Sequence, residues 1–186
     1  MSFLINPFAF AVAGGDFESI ATVTVGSGGA ASIEFTSIPS TFAHLQIRYL
    51  CRGVRSNVRE DLVLQINSDT GSNYAYHRLL GYGSVAAADA TTSSTYGYTS
   101  TISAANLTAS IFGAGVTDIL DYANTSKTTT VRTFGGVDGN GDSNVGVFVT
   151  SSLWNNTNAV TSVKLYGFNA NLAQHSTAAL YGVKAP

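Results

Sequence analysis

The sequence is short of charge. Asp, Glu, Lys and Arg make up 11% of its 186 residues, roughly half the usual share. Nine basic and eleven acidic side chains leave a net charge of −2, which excludes the broad basic footprint of a nucleic-acid binder. A single cysteine, Cys51, rules out an intrachain disulfide. Its place in a strand pattern makes it a small buried hydrophobe rather than a reactive thiol. No apolar run reaches the roughly 18 residues of a membrane span. The apolar start SFLINPFAFAVAGG has no Lys or Arg before it and is interrupted by Pro7, so it reads poorly as a signal peptide. No helix of standard length is evident.

What is present is Gly, Ser, Thr, Ala and Asn, with alternating apolar residues among them. A chain of this length suits one domain and buries about 70% of its unfolded surface, so no metal or disulfide is needed to hold it. A neutral surface of short side chains fits dense packing against other protein copies. Residues 1–16 follow neither strand nor helix periodicity, yet carry Phe3, Leu4, Ile5, Phe8 and Phe10. Leaving such side chains in water costs roughly 1.5–3 kcal/mol each. The expectation is an N-terminal arm, 1–16, that packs on its own domain or docks on a neighbour, followed by one domain at 17–186.

From Ser19 the pattern is that of strands. SIATVTV, a glycine turn at 26–29 and ASIEFTSI read as a hairpin. HLQIRYLC places Leu45, Ile47, Tyr49 and Cys51 on one face, and DLVLQIN points Leu62, Leu64 and Ile66 inward. NSDTGSN (67–73) is turn chemistry, with Asn, Asp and Ser folding onto their own backbone. YAYHRLLGY is a further strand, and 84–106 reads as a long polar excursion containing one short strand. Then come TASIFG, VTDILDYA, TTTVRTFGG, VGVFVTSSL, VTSVKLYGF and STAALYGVK. KLYGF and ALYGV echo one another and are expected to pair. Short strands at this spacing predict an all-β, antiparallel β-sandwich or barrel.

Residues that could carry chemistry are scattered. Asp138, Asn140, Asp142 and Asn144 alternate as in a calcium loop, but Val149 stands where the bidentate Glu belongs. A turn is the simpler reading, and no metal or cofactor is expected. His44, His77 and His175 lack the spacing of zinc ligands. There is no G-x-S-x-G elbow, and Glu18, Glu34 and Glu60 give no sign of a glycosidase pair; the chain is not expected to be an enzyme. Arg48, Arg52, Arg55 and Arg59 form the sharpest charge cluster, as a solvated face or as a subunit interface pairing with acids. Tyr74, Tyr76, Tyr82, Tyr96, Tyr98 and Trp154 lie in or beside loops, and of these Tyr96, Tyr98 and Trp154 are the candidates for stacking on sugar rings. The competing reading places them in the core or at a subunit contact.

The run SIPSTFAHLQIRY followed by LVLQINSDTGSNYAYHRLLGYGS resembles small virion structural proteins of tailed bacteriophages. The matching positions are Ile38, Pro39, Thr41, Phe42, His44, Leu45, Ile47 and Arg48, then Asn67, Asp69, Asn73, Tyr74, His77 and Gly81. DYANTSKTTT and the closing VTSVKLYGF…STAALYGV also fit, so the resemblance spans most of residues 17–184. It implies a jelly-roll-like sandwich on the exterior of a phage particle, assembled in the bacterial cytoplasm and without catalysis. The expected function is capsid decoration: a homo-oligomer, for instance a trimer, docking on the major capsid protein or on tail proteins. Its interface would be the arm with Arg52, Arg55 and Arg59. The alternative is a tail or fibre component that binds host surface glycans. Neither nucleic acid nor membrane is an expected partner.

Overall fold

A computed structural model describes residues 15–184, which form twelve strands and no helix. They are β1 (Phe17–Thr24), β2 (Ile33–Phe35), β3 (His44–Cys51), β4 (Arg59–Ile66), β5 (Tyr74–Tyr82) and β6 (Val85–Ser94), then β7 (Gly97–Ser103), β8 (Gly113–Leu120), β9 (Thr129–Gly136), β10 (Gly146–Trp154), β11 (Val163–Gly167) and β12 (Thr177–Val183). All pair antiparallel, in an eight-stranded sheet ordered β1-β12-β3-β8-β9-β10-β5-β6 and a four-stranded sheet ordered β2-β11-β4-β7. The chain is an antiparallel β-sandwich, as the strand spacing implies.

The order has a simple logic. Set aside β1 and β12, and count the meander β8-β9-β10 as one broad strand. The small sheet then runs first-eighth-third-sixth and the large one second-seventh-fourth-fifth. That is the strand order of a jelly roll, widened by a hairpin in one strand and by a terminal pair along one edge.

Inward alternation builds the core. Leu45, Ile47, Tyr49 and Cys51 of β3 face Leu62, Leu64 and Ile66 of β4 across the sandwich, with Ile102, Ile119, Val131, Leu165 and Leu180 between and around them. Gly115 and Gly135 lie beside Tyr49, and a Cβ at either would fall within 2.2 and 2.7 Å of its hydroxyl oxygen. These two glycines make room for the ring. The core thiol Cys51 has its pKa pushed up to about 12 by burial, so it stays protonated and inert.

Two expectations fail on partnership rather than on strand identity, and a third on strand identity itself. β1 and β2 do not form a hairpin: β1 pairs with β12, and β2 pairs with β11 in the other sheet. Likewise β11 and β12, the echoing strands, lie in opposite sheets. Alternation reveals which face is buried, not which strand lies alongside. The two connections cross between the sheets together, joined by Val25 N–H to Ser176 O and by mutual Ala30–Leu172 bonds. Finally, 84–106 holds two strands, β6 and β7, whereas TASIFG is a turn preceding β8.

β7 is buried at all seven positions. The core covers one side. On the other, β5 reaches beyond the edge of the small sheet and lays Tyr76 against Tyr98 and Val63. This overhanging β5–β6 hairpin, a wing, creates the first of two surfaces of interest.

Candidate functional site

Several candidate residues turn out to be internal. Trp154 is 1% exposed and Tyr98 2%, so neither can stack on a sugar ring. Trp154 ends β10, with its indole N–H donating to Asp69 Oδ2 at 2.7 Å. Tyr98 donates to Asp61 Oδ1 at 2.7 Å, and burial together with that carboxylate pushes its hydroxyl pKa far up. Tyr96 is half-buried and packed against Tyr76 and Phe168.

Arg52 is likewise engaged within the chain. Its two terminal nitrogens donate to the carbonyls of Thr108, Ile111, Ala105 and Leu107 at 2.8–3.4 Å, holding the loop between β7 and β8. That leaves its guanidinium little capacity for a neighbouring subunit. Glu60, next to Arg59 in the sequence, is fully buried and accepts from Asn169. Phe3, Leu4, Ile5, Phe8 and Phe10 lie outside the described residues.

Asp138 and Asp142 spend their carboxylates on Asx turns, accepting from the backbone N–H of Asn140 and Asn144. Asn140 and Gly141 have positive φ, which makes the alternating acids and amides a turn signature. No metal-binding cluster of His, Cys, Asp or Glu occurs among the described residues.

The positions that carry the phage resemblance form a polar knot at one end of the sandwich. Asn67, at φ 51°, accepts from the N–H groups of Thr161 and Ser162 and donates to Ala159 O, tying the β10–β11 connection to β4. Asp69 accepts from Trp154, Asn73 and Gly71 N–H, and the bond from Trp154 leads in holding its carboxyl below the usual range. Tyr74 Oη accepts from Ile66 N–H. Nearer the first motif, the Tyr122 hydroxyl donates to Pro39 O, and Phe42 packs over Gly182. These motif residues fix loops to strands.

The first surface is a cleft of about 350 Å³ between the wing and the small sheet, lined by Arg55, Arg59, Asp61, Arg78, Tyr82 and Asp89 among others. Arg78 is inward-facing on β5, stacked over Tyr98 at 4.2 Å and bound at two points to Asp89 at 2.6 and 2.8 Å. Burial opposes its charge, but the bond to Asp89 together with the nearby Tyr98, Asp89 and Asp61 outweighs this and raises its pKa. Arg59 lies over the Tyr82 ring and donates one bond to Asn144 O. Among the described residues the ion pairs are His44–Asp121, Arg78–Asp89, Lys127–Asp121 and Lys184–Glu18, so neither Arg55 nor Arg59 has an acidic partner.

The second surface is the outer face of the large sheet, and it is bare and apolar. Phe134 is 63% exposed, Leu79 58%, Val147 56% and Val149 50%. Register sets Val116, Phe134, Val149, Leu79 and Ala88 in one row across five strands, with Ala114, Gly136, Val147, Gly81 and Ala86 in the next. None of these ten positions is charged. Missing side chains at Gly136 and Gly81 leave a trough, interrupted by Val147, beside the ridge of Phe134 and Val149, and near Gly136 a groove of about 660 Å³ opens. The third row restores polarity with Asp118, Arg132, Ser151 and His77. The strand pattern gave this face away only in part: Val147 and Val149 alternate visibly, but alternation does not say that their side is the one left exposed among the described residues.

No protein-family model matches the chain, and neither the curated proteins nor the solved structures compared with it include a match.

Proposed function

We propose that the chain is a non-enzymatic structural subunit of a tailed-phage virion: a decoration protein that assembles as a ring of copies on the particle's exterior and docks through its N-terminal arm. The observation that carries the assembly part is the outer face of the large sheet, where two rows of exposed side chains carry no charge and adjoin a groove lined in part by Asp138 and Asp142. Exposed apolar patches of this extent mark interaction surfaces. The residue motifs of the phage resemblance carry the assignment to a virion.

The occupant of that face is a second copy of this chain. The ridge of Phe134 and Val149 and the trough at Gly136 and Gly81 lie side by side, so one copy's ridge fits the next copy's trough. Because ridge and trough share one face, the patch is self-complementary, and two copies close it face to face about a two-fold axis, the pair from which a larger ring is built. Asp118 and Arg132 in the adjoining row supply both signs of charge for a polar rim. Five strands about 4.8 Å apart give the patch a breadth suited to the apolar centre of an interface of about 800 Å² per partner.

Light scattering on the full chain tests the face. A defined oligomer is expected, and Phe134→Asp should shift it to monomer while leaving the circular dichroism unchanged. A wild-type monomer at high concentration overturns the ring. The docking arm is tested separately by sedimenting particles with the chain and with a version lacking residues 2–14. The truncated protein is expected to fold and stay in the supernatant; equal co-sedimentation removes the arm from the account.

The alternative, a tail or fibre component binding host glycans, loses Trp154 and Tyr98 as stacking platforms because both are buried. What favours it is the charged cleft beneath the wing.

A further inference from the structure

The chain has nine basic and eleven acidic side chains, and five of them converge on one cleft. They come from three elements: Arg55 from the β3–β4 connection, Arg59 and Asp61 from β4, and Arg78 and Asp89 from the wing. In a protein this short of charge, that concentration calls for a cause. Folding alone does not supply one. Arg78 sits where the wing could have carried an apolar residue against Tyr98, and its ion pair with the half-exposed Asp89 adds little net stability.

We infer that this cleft binds one acidic sugar residue, a monosaccharide unit bearing a carboxylate or a phosphate. The chemistry of each wall points there. Arg55 and Arg59 present guanidinium groups without an acidic partner among the described residues, suited to the paired oxygens of a carboxylate or phosphate. Asp61 and Asp89 keep acceptor capacity beyond the bonds from Tyr98, Thr101 and Arg78, and these carboxylates serve sugar hydroxyls. Leu80, Tyr82 and Phe148 give one wall an apolar surface for the C–H face of a ring. At about 350 Å³ the cleft is at the small end of ligand pockets, enough for one ring. The two carboxylates turn away a polyanion, which would bring a second phosphate against them.

This site is independent of where on a particle the chain sits and of the face that joins copies. Arg55 and Arg59, two of the three arginines read from the sequence as an interface, become ligand groups here, while Arg52 remains internal.

Saturation-transfer NMR and calorimetry on the full chain, with glucuronate, glucose 6-phosphate, glucose and inorganic phosphate, test it. At least one acidic sugar should bind with a dissociation constant of about 1 mM, the scale for so small a ligand, and glucuronate against glucose 6-phosphate tells carboxylate from phosphate. Arg55→Ala and Arg59→Ala should each weaken binding about ten-fold, whereas Arg132→Ala on the outer face should leave it unchanged. Arg55 serves as the safeguard should Arg59→Ala perturb the fold, because its side chain takes part in no ion pair among the described residues. The proposal fails if neither acidic sugar binds, if glucose or phosphate alone binds as tightly, or if Arg55→Ala binds like the parent. Loss of the oligomer in Phe134→Asp with sugar binding intact would bear on the ring and not on the cleft.

Discussion

Two aspartates make an instructive pair. Asp69 and Asp61 each sit near an aromatic donor, Trp154 Nε1–H for one and the Tyr98 hydroxyl for the other, both at 2.7 Å. Around Asp69 everything closes. Asn73 and Gly71 use its remaining oxygens, and Tyr74 and Asn67 bind nearby backbone groups. Around Asp61 things stay open, with Arg55 and Arg59 lacking an acidic partner and a cleft large enough to admit a ring. The first region consumes its polar capacity to hold loops in place. The second keeps some in reserve, and reserve capacity beside a cavity is what binding requires.

Breaking the closed region should cost most. Trp154→Ala removes a fully buried indole at the end of β10 and should destabilise the fold by about 3–5 kcal/mol, read from the midpoint of urea unfolding. Next comes Asp69→Ala, expected to cost about 1.5–3 kcal/mol because its charge-assisted bonds vanish while the Trp154 N–H stays buried. Asp69→Asn keeps an acceptor and should lose less. If the two variants were equal, the charge on Asp69 would have no part in the knot.

Acid should separate the same two regions. In the fold Asp69 titrates below its ordinary value, chiefly through the Trp154 bond. A carboxyl whose folded pKa is depressed contributes stability that is present above the unfolded value of about 3.9 and is lost as pH falls through the folded one. Stability should therefore drop below about pH 4, and the drop should be shallower in Asp69→Asn. An identical acid limb in parent and variant would place the sensitive group elsewhere.

Sequence periodicity reveals burial reliably where a strand has one wet face. β3 shows this, and so do Leu62, Leu64 and Ile66 of β4: these inward residues alternate cleanly and are buried as expected. It fails for β6 and β7, for opposite physical reasons. β7 is covered on both sides, so Thr99, Ser100, Thr101 and Ser103 are buried polar residues that imitate a loop; Thr99 and Ser103 satisfy their hydroxyls on the Leu62 and Ile111 carbonyls. β6 is an edge strand with little cover, so it has few apolar residues to alternate. The candidate site was legible residue by residue but not as a group. Arg55 and Arg59 stood out as charge, yet Asp89 joins them only because β6 pairs with β5 and sets it opposite Arg78. Trp154 and Tyr98 misled because a loop-side aromatic in sequence can sit near the end of a strand on a covered face, covered by the core for Trp154 and by the wing for Tyr98.

The smallest effects on stability should come from the open region, and this is where the comparison is most exposed to failure. Arg59→Ala forfeits one bond to Asn144 O and the Tyr82 contact, so about 1 kcal/mol is expected. Arg55→Ala forfeits no ion pair and should stay within about 0.5 kcal/mol of the parent, measured in the same urea titration. The argument turns on the ratio rather than on either value. If the arginines were structural, as Arg52 is, removing them would cost stability comparable to breaking the Asp69 knot, because a carbonyl or carboxylate would be left unpaired. If they are held for a ligand, stability stays near that of the parent and sugar binding alone is lost. A destabilisation by Arg55→Ala as large as that by Asp69→Ala would erase the distinction between a closed polar end and an open one.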